Sequence, residues 1–326
     1  MRRLFLILLC VISLVGYAQV PGIGILAKPM ITGPVYADPV YIYATIYSQT
    51  IKSTNTGGSY TISYIGGDNT SVSMSMDGKY ITFAGYGITI YRSLNYSGSW
   101  GTAGWTADYT DIAVCGTGQY QYATMLGYYP FRSTDYGTNW NAMTSGLYNG
   151  SHSAVATSYS GQYVLVSASS GSVYLSTNYG ASFSKVSALN TSASWKGLAV
   201  SGSGQYMAAL ISNEHIYISS NYGVSWSQST VNTANFTHIS MSSSGQYITA
   251  SIFNSQYCLR STNYGQSWTE VSIGVSSVWQ KVNVSPTGKY QYISRGDAGY
   301  SRISTDYGAS WSAGPSYNVF QFSHGK

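Results

Sequence analysis

Three features predict an all-β protein built as a closed array of seven similar units. An eight-residue stretch recurs seven times in the 326 residues, its copies starting 40, 40, 43, 43, 42 and 43 residues apart. A period of this length marks a repeat architecture. Charged residues make up only 8% of the chain, whereas Tyr alone contributes 33 residues. That balance disfavours helices and favours strands, where aromatic and β-branched side chains fit a half-buried pleated surface. Each period also divides into four short alternating segments separated by turn residues. Four antiparallel strands per repeat make one propeller blade, so the fold class is a seven-bladed β-propeller spanning residues 36–326.

The fifth unit illustrates the grammar. Trp195–Ser201 alternates as a first strand, and Gly202–Gln205 is a turn. Tyr206–Ser212 is a second strand, Asn213-Glu214 a tight loop and His215–Ser219 a third strand. The octapeptide then turns the chain, and Trp226–Ser229 opens a fourth strand. The first turn recurs as Gly-Gln/Lys-Tyr at Gly78, Gly118, Gly161, Gly204, Gly245 and Gly288. There are six such turns against seven octapeptides. Before the first octapeptide stands a second-strand segment, Val40–Ser48, with no first strand ahead of it. At the far end, Val319–Ser323 reads as a first strand and nothing follows it but His324-Gly325-Lys326. The C-terminal strand is therefore expected to complete the N-terminal blade, which leaves no unpaired edge at the seam.

The octapeptides read STNTGGSY from Ser53, SLNYSGSW from Ser93, STDYGTNW from Ser133, STNYGASF from Ser176, SSNYGVSW from Ser219, STNYGQSW from Ser261 and STDYGASW from Ser304. The pattern S-x-D/N-x-G-x-x-W resembles the Asp-box of the bacterial neuraminidase (BNR) repeat. Propellers carrying it include sialidases, xyloglucanase-type glycosidases, sortilin-like receptors and photosystem II assembly factors. The resemblance implies that the box is a structural turn away from any active site. Its acidic or amide residues here are Asn55, Asn95, Asp135, Asn178, Asn221, Asn263 and Asp306. Their side chains are expected to bond to backbone two residues on. The glycine supplies a positive φ without steric cost, and the Trp buries a large apolar area.

Residues 1–18 read as a secretory signal: Arg2 and Arg3, an apolar run over Leu4–Val15, and Gly16-Tyr17-Ala18 as a small-residue cleavage site. Residues 19–35, rich in Pro and Gly, read as an extended lead-in segment. The apolar run is too short to span a bilayer comfortably, so a secreted or surface location without a stable membrane span is expected. The net charge of +5 falls to +3 without Arg2 and Arg3. No Lys/Arg run follows, which argues against a nucleic-acid partner. Cys115 and Cys258 lie in different repeats and are expected to stay unpaired as small buried hydrophobes. No metal or cofactor motif is present.

The boxes and the Gly-Gln-Tyr turns fall on one face. The opposite face carries the second-to-third-strand loops and the links between units, where the repeats stop resembling one another. Variable loops on a rigid scaffold are where binding residues concentrate. The candidates there are Tyr109, Asp111, His152, Trp195, Lys196, Glu214, His215, His238, Trp279, Lys281, Arg295 and Asp297. Aromatics mixed with a few polar groups suit a glycan or an extracellular protein partner. A glycoside hydrolase needs two carboxyls flanking the scissile bond, and Asp111, Glu214 and Asp297 are the acids on this face. A sialidase is disfavoured, because Arg92, Arg132, Arg260 and Arg302 occupy repeat positions next to boxes. An assembly-factor-like propeller is the remaining alternative. The leading expectation is a non-catalytic binding or structural module.

Overall fold

The computed structural model describes residues 41–46, 49–53, 61–64, 68–169, 171–189, 194–295, 301–314 and 321–325. The signal and lead-in segments expected over residues 1–35, and the box residue Asn55, lie outside the described residues. So does Asp297.

Every sheet is antiparallel, and no α-helix occurs among the described residues. Five sheets have four strands, and in four of them the strands follow chain order, for example Trp195–Val200, Met207–Ile211, Ile216–Ser219 and Ser227–Gln228. A sixth sheet has six strands. Ile248–Ser261 runs unbroken through the corner where the other sheets turn from second to third strand, and Thr269–Val284 through the corner where one sheet gives way to the next. Register shifts at Phe253/Ser255 and Ser255/Tyr257 mark the first of these corners.

The seam forms as the sequence predicts. Gln321–Gly325 pairs antiparallel with Tyr41–Ile46, with Phe322 opposite Ala44 and Ser323 opposite Tyr43. The C-terminal strand thus becomes the first strand of the sheet that begins at the N-terminus.

First strands lie beside one another in chain order, and Gln321–Gly325 touches both Thr269–Val284 and Asp68–Met74. Their apolar positions are buried as expected, including Val72, Ile112, Val155, Leu198, Ile239 and Val282. Small polar residues between these positions tie neighbouring strands together. Ser73 Oγ accepts from Val114 N at 2.9 Å, and Ser240 Oγ from Val284 N at 3.1 Å.

The Gly-x-Tyr turn and the box sit at the same end of each sheet, joined by backbone. Tyr136 N donates to Gln119 O at 3.1 Å and Tyr222 N to Gln205 O at 3.0 Å. Inside each described box the serine hydroxyl donates to the acidic or amide side chain and accepts the amide four residues on; Ser219 Oγ does so with Asn221 Oδ1 at 3.1 Å and Gly223 N at 3.0 Å. The Asn or Asp oxygen accepts the amide four residues on, not two, as for Asn221 Oδ1 from Ser225 N at 2.9 Å. The reason is that two successive left-handed residues, the box Tyr and Gly, fold the chain back further than a simple Asx-turn. Tyr222 has φ 61° and Gly223 φ 80°. The box Trp is half-buried, with Trp226 Nε1 donating to Gly223 O at 3.1 Å.

Tyrosines lock each unit to the next. The turn Tyr206 stacks on Tyr264 of the following box with ring centroids 4.4 Å apart. The same ring covers Gly245 of the following turn, where an added Cβ would lie 2.7 Å from Tyr206 Cβ. The contact repeats at Tyr80–Tyr136, Tyr120–Tyr179, Tyr163–Tyr222 and Tyr247–Tyr307. The turn glycine is therefore needed twice, for its positive φ and for close approach.

Candidate functional site

The aromatics at the first-strand entrances are buried supports, which corrects the expectation that they face a ligand. Tyr109, Trp195 and Trp279 are each no more than 1% exposed. Each packs beneath backbone of the preceding unit and donates to one of its carbonyls: Tyr109 Oη to Trp105 O at 2.8 Å, Trp195 Nε1 to Gly171 O at 3.1 Å, Trp279 Nε1 to Ser255 O at 2.7 Å. A large apolar ring with one polar atom satisfies both needs of such a place, filling volume and pairing a buried carbonyl. His152 is also buried, with Nδ1 2.8 Å from Gly150 O. Burial holds its pKa below the ordinary value, against the carbonyls of Gly150 and Tyr128.

The polar candidates separate. Asp111 is buried and joins three first strands: Oδ1 accepts from Ser71 Oγ at 2.9 Å, Oδ2 from Val155 N at 3.1 Å. Those bonds account for it as an inter-sheet tie, not as a carboxyl open to substrate. His238 Nδ1 lies 3.1 Å from Val282 O. Burial, and after it the charge of Lys281, hold its pKa well below the ordinary value, so the imidazole is neutral. Lys196 is exposed, while Glu214, His215, Lys281 and Arg295 are half-buried. Glu214 makes a backbone bridge to Ala234, and His215 Nδ1 is buried without a hydrogen-bond partner among the described residues. Arg295 stands opposite Trp279 in its strand pair. Among the described residues no three His, Cys, Asp or Glu side chains come together as a metal site.

Asp111 and His238 border an open cavity of about 180 Å³ lined by the first strands. A second cavity of about 180 Å³ adjoins it toward the box face, lined by Met74, Met76, Met241, Tyr159 and Pro286. The side-chain Nδ2 of Asn283, which borders both, is buried with no hydrogen-bond partner among the described residues.

The exposed aromatics that break the repeat lie on the loop face. Trp105 is 58% exposed, Tyr86 49% and Tyr128 37%. Trp105 sits in Gly101–Ala107, a fourth strand of seven residues where the corresponding strands Asn141–Ala142, Ser184–Lys185, Ser227–Gln228 and Ser312–Ala313 have two. A register shift between Ile88 and Ile90 opens a bulge there, and Gly104 within it has φ +71°. The bulge turns the indole outward, where it meets Tyr128 at 5.9 Å with planes 52° apart and the edge of Phe131 at 5.0 Å. Surrounding loops are fastened. Gly87 N donates to Asp108 Oδ1 at 2.9 Å, Leu126 N to Asp108 O at 2.9 Å and Gly127 N to Ser151 Oγ at 3.0 Å. Sequence reasoning passed over Trp105, although elimination finds it. Five of the eight tryptophans end boxes and two open first strands, which leaves this one.

The sheets and their order define a protein of the β-propeller class, and solved structures agree. YCF48 bound to D1 peptide superposes with a TM-score of 0.57 at 13% identity, over 75% of this chain and 81% of that one. YCF48 from Cyanidioschyzon merolae gives 0.59 at 14% identity, over 76% and 84%. The GH74 xyloglucanase from Xanthomonas campestris gives 0.59 at 13%, over 85% of this chain but 55% of that one. At these identities the likeness is one of fold. No family model and no curated protein matches the sequence. No helix among the described residues is long and apolar enough to cross a membrane.

Proposed function

We propose that the chain is a secreted seven-bladed propeller of the Asp-box type that binds a glycan or a protein partner on its loop face without catalysis. The count of seven follows if the six-stranded sheet is divided once, at the corner within Thr269–Val284. The succession of neighbouring first strands, with Gln321–Gly325 between the last and the first, supports that division. Residues 1–18 are read as a cleaved leader and 19–35 as a lead-in to the disc.

One observation carries the binding role: the two faces differ in kind. On the box face the exposed tyrosines recur unit after unit, as at Tyr136, Tyr179, Tyr222 and Tyr307, and each stacks on its neighbour. Repetition of that sort belongs to the scaffold. On the loop face Tyr86, Trp105, Tyr128, Phe253 and Tyr257 are exposed without counterparts at the same place in every unit, and solvent-exposed aromatics outside the repeat are the residues expected of a recognition surface. The hydrolase alternative has weaker support. A carboxylate pair is required, and Asp111 is committed to structural hydrogen bonds.

The test exchanges faces. Ligand binding, screened on neutral and acidic glycan arrays and by crosslinking to surface proteins, is compared for two variants. Phe253→Ser/Tyr257→Ser/Tyr86→Ser alters the loop face and Tyr222→Ser/Val224→Ser the box face. Binding is expected to fall in the first and persist in the second. The reverse result overturns the assignment of faces, and turnover of a glycoside by the wild type overturns the non-catalytic role.

A further inference from the structure

The geometry points to Trp105 as a stacking site for one neutral pyranose ring of a soluble glycan, an assignment that rests on the binding role proposed for the loop face. More than half of the residue is open to solvent, yet its position is fixed from behind. Phe131, which is buried, abuts the indole edge-on, and Tyr109 Oη holds the Trp105 carbonyl at 2.8 Å. Gly104 places that carbonyl within reach: a Cβ there would meet Tyr109 Oη at 3.3 Å, in a left-handed backbone that side chains rarely adopt. An aromatic that spends nothing on ordering itself is what a weak stacking interaction requires.

Charge and size select the ligand. Asp108 is the sole charged residue within 101–110 and 126–131, and its Oδ1 is occupied by Gly87 N. An anionic glycan or an acidic peptide finds no cationic partner in these segments, and one exposed carboxylate is all that a basic peptide would meet. A specific protein interface needs on the order of 1,000 Å², whereas this patch is one indole walled by one phenol. An open aromatic plane of that size matches the apolar C–H face of a sugar ring, whose polar edge stays in water. The 52° between Trp105 and Tyr128 makes a notch, not a flat strip. A ring lying on the indole meets the phenol at its side, so a single twisted chain fits and the flat surface of a crystalline polysaccharide does not.

The experiment uses the full chain with soluble mixed-linkage glucan and glucomannan as probes, microcrystalline cellulose as the flat control and polygalacturonate as the charged one. Affinity electrophoresis and tryptophan-emission titration are the readouts. Wild type is expected to bind the soluble neutral probes and neither control. Trp105→Ala should weaken binding at least about tenfold, as for a hot-spot tryptophan, Trp105→Phe should retain part of it, and Val224→Ser, on the box face and 83% exposed, should leave it unchanged. If a soluble glucan binds equally to wild type and Trp105→Ala, the stacking site is wrong while the face can still be right. Preference for polygalacturonate or for crystalline cellulose, or no binding to any neutral glycan by a wild type that captures a protein through the same face, also overturns it. Circular dichroism and urea midpoints of the variants separate loss of the site from loss of the fold.

Discussion

The Tyr109 hydroxyl donates to the main-chain carbonyl of Trp105 at 2.8 Å, four residues back along the chain. One side chain thereby joins the core to the most exposed tryptophan on the loop face. Tyr109→Phe keeps the ring and removes the donor, so it should cost about 1 kcal/mol, read as a lower urea midpoint. The same residue predicts an alkaline limit. Burial pushes the Tyr109 pKa from 10.0 up to about 12, against the opposing effect of the Trp105 carbonyl, and burial also raises Tyr122. The unfolded chain releases these protons first, so stability is full below pH 10 and falls as pH rises toward 12. In Tyr109→Phe that fall should be shallower.

The turn glycines carry the lock between units. Gly204 has φ +82°, and a Cβ there would lie 2.3 Å from Tyr163 Cδ2. Gly204→Ala combines backbone strain with displacement of a ring that stacks on Tyr222, 5.3 Å away. A loss of about 2–4 kcal/mol is expected, measured by equilibrium urea unfolding. Gly87→Ala, at φ +65° but with open space around its Cβ, should lose only the backbone part, about 1–2 kcal/mol.

Acid should destabilise the protein in two steps. His238 is held well below its usual 6.5, by burial first and by Lys281 second, and burial lowers His152. The unfolded state takes up these protons first, so their contribution is present above pH 6.5 and is lost as pH falls below it. The second step belongs to the box acids. For Asp135 and Asp306, burial acts to raise the pKa but is outweighed by hydrogen bonds, from Asn139 and Ser133 in one box and from Ser310 and Ser304 in the other, and both end below the usual 3.8. Their contribution is present above pH 3.8 and disappears as pH falls through the lowered values. The double variant Asp135→Asn/Asp306→Asn should keep the fold, since Asn178 and Asn221 already serve in that place, and should lose the second step in thermal melts taken from pH 7 to 2.

Cys115 stands where other units have serine. The hydroxyls of Ser75, Ser158, Ser201, Ser242 and Ser285 accept the amide of the turn tyrosine at 3.0 or 3.1 Å. In the third unit the acceptor is Cys115 Sγ, 3.3 Å from Tyr120 N. Sulfur is the weaker acceptor, so Cys115→Ser should be neutral or stabilise by up to about 1 kcal/mol. A clear loss in differential scanning calorimetry would show that the thiol's bulk matters more than the bond.

The scaffold was legible because it repeats. Seven copies at near-constant spacing define the turns, and the half-units at the two ends define the seam, since strand pairing obeys a short-period rule. The site was not legible for the same reason. Trp195 and Trp279 attract attention as aromatics at variable positions, yet a strand entrance lies beneath its neighbour's loop, and the tertiary contact decides that the ring points inward. Asp111 looked like a carboxyl on the open face, but its partners Ser71 and Val155 come from two other units, which no local pattern in the chain records. Trp105 owes its exposure to a bulge around Gly104, an irregularity in one strand that periodicity cannot express. Within the boxes, the bond from Asn or Asp reaches four residues on because the tyrosine as well as the glycine is left-handed, a conformation that sequence statistics assign to glycine alone.

The pairing of Gln321–Gly325 with Tyr41–Ile46 also orders events during synthesis. The sheet that holds Tyr41–Ile46 lacks its first strand until residues 321–325 have been made. Through translation it offers a bare backbone edge, the kind of surface on which nascent chains aggregate. This pairing joins the described strands most distant in sequence and should therefore form slowly. A chaperone able to shield that edge would raise the yield of folded protein more than one acting on any later repeat.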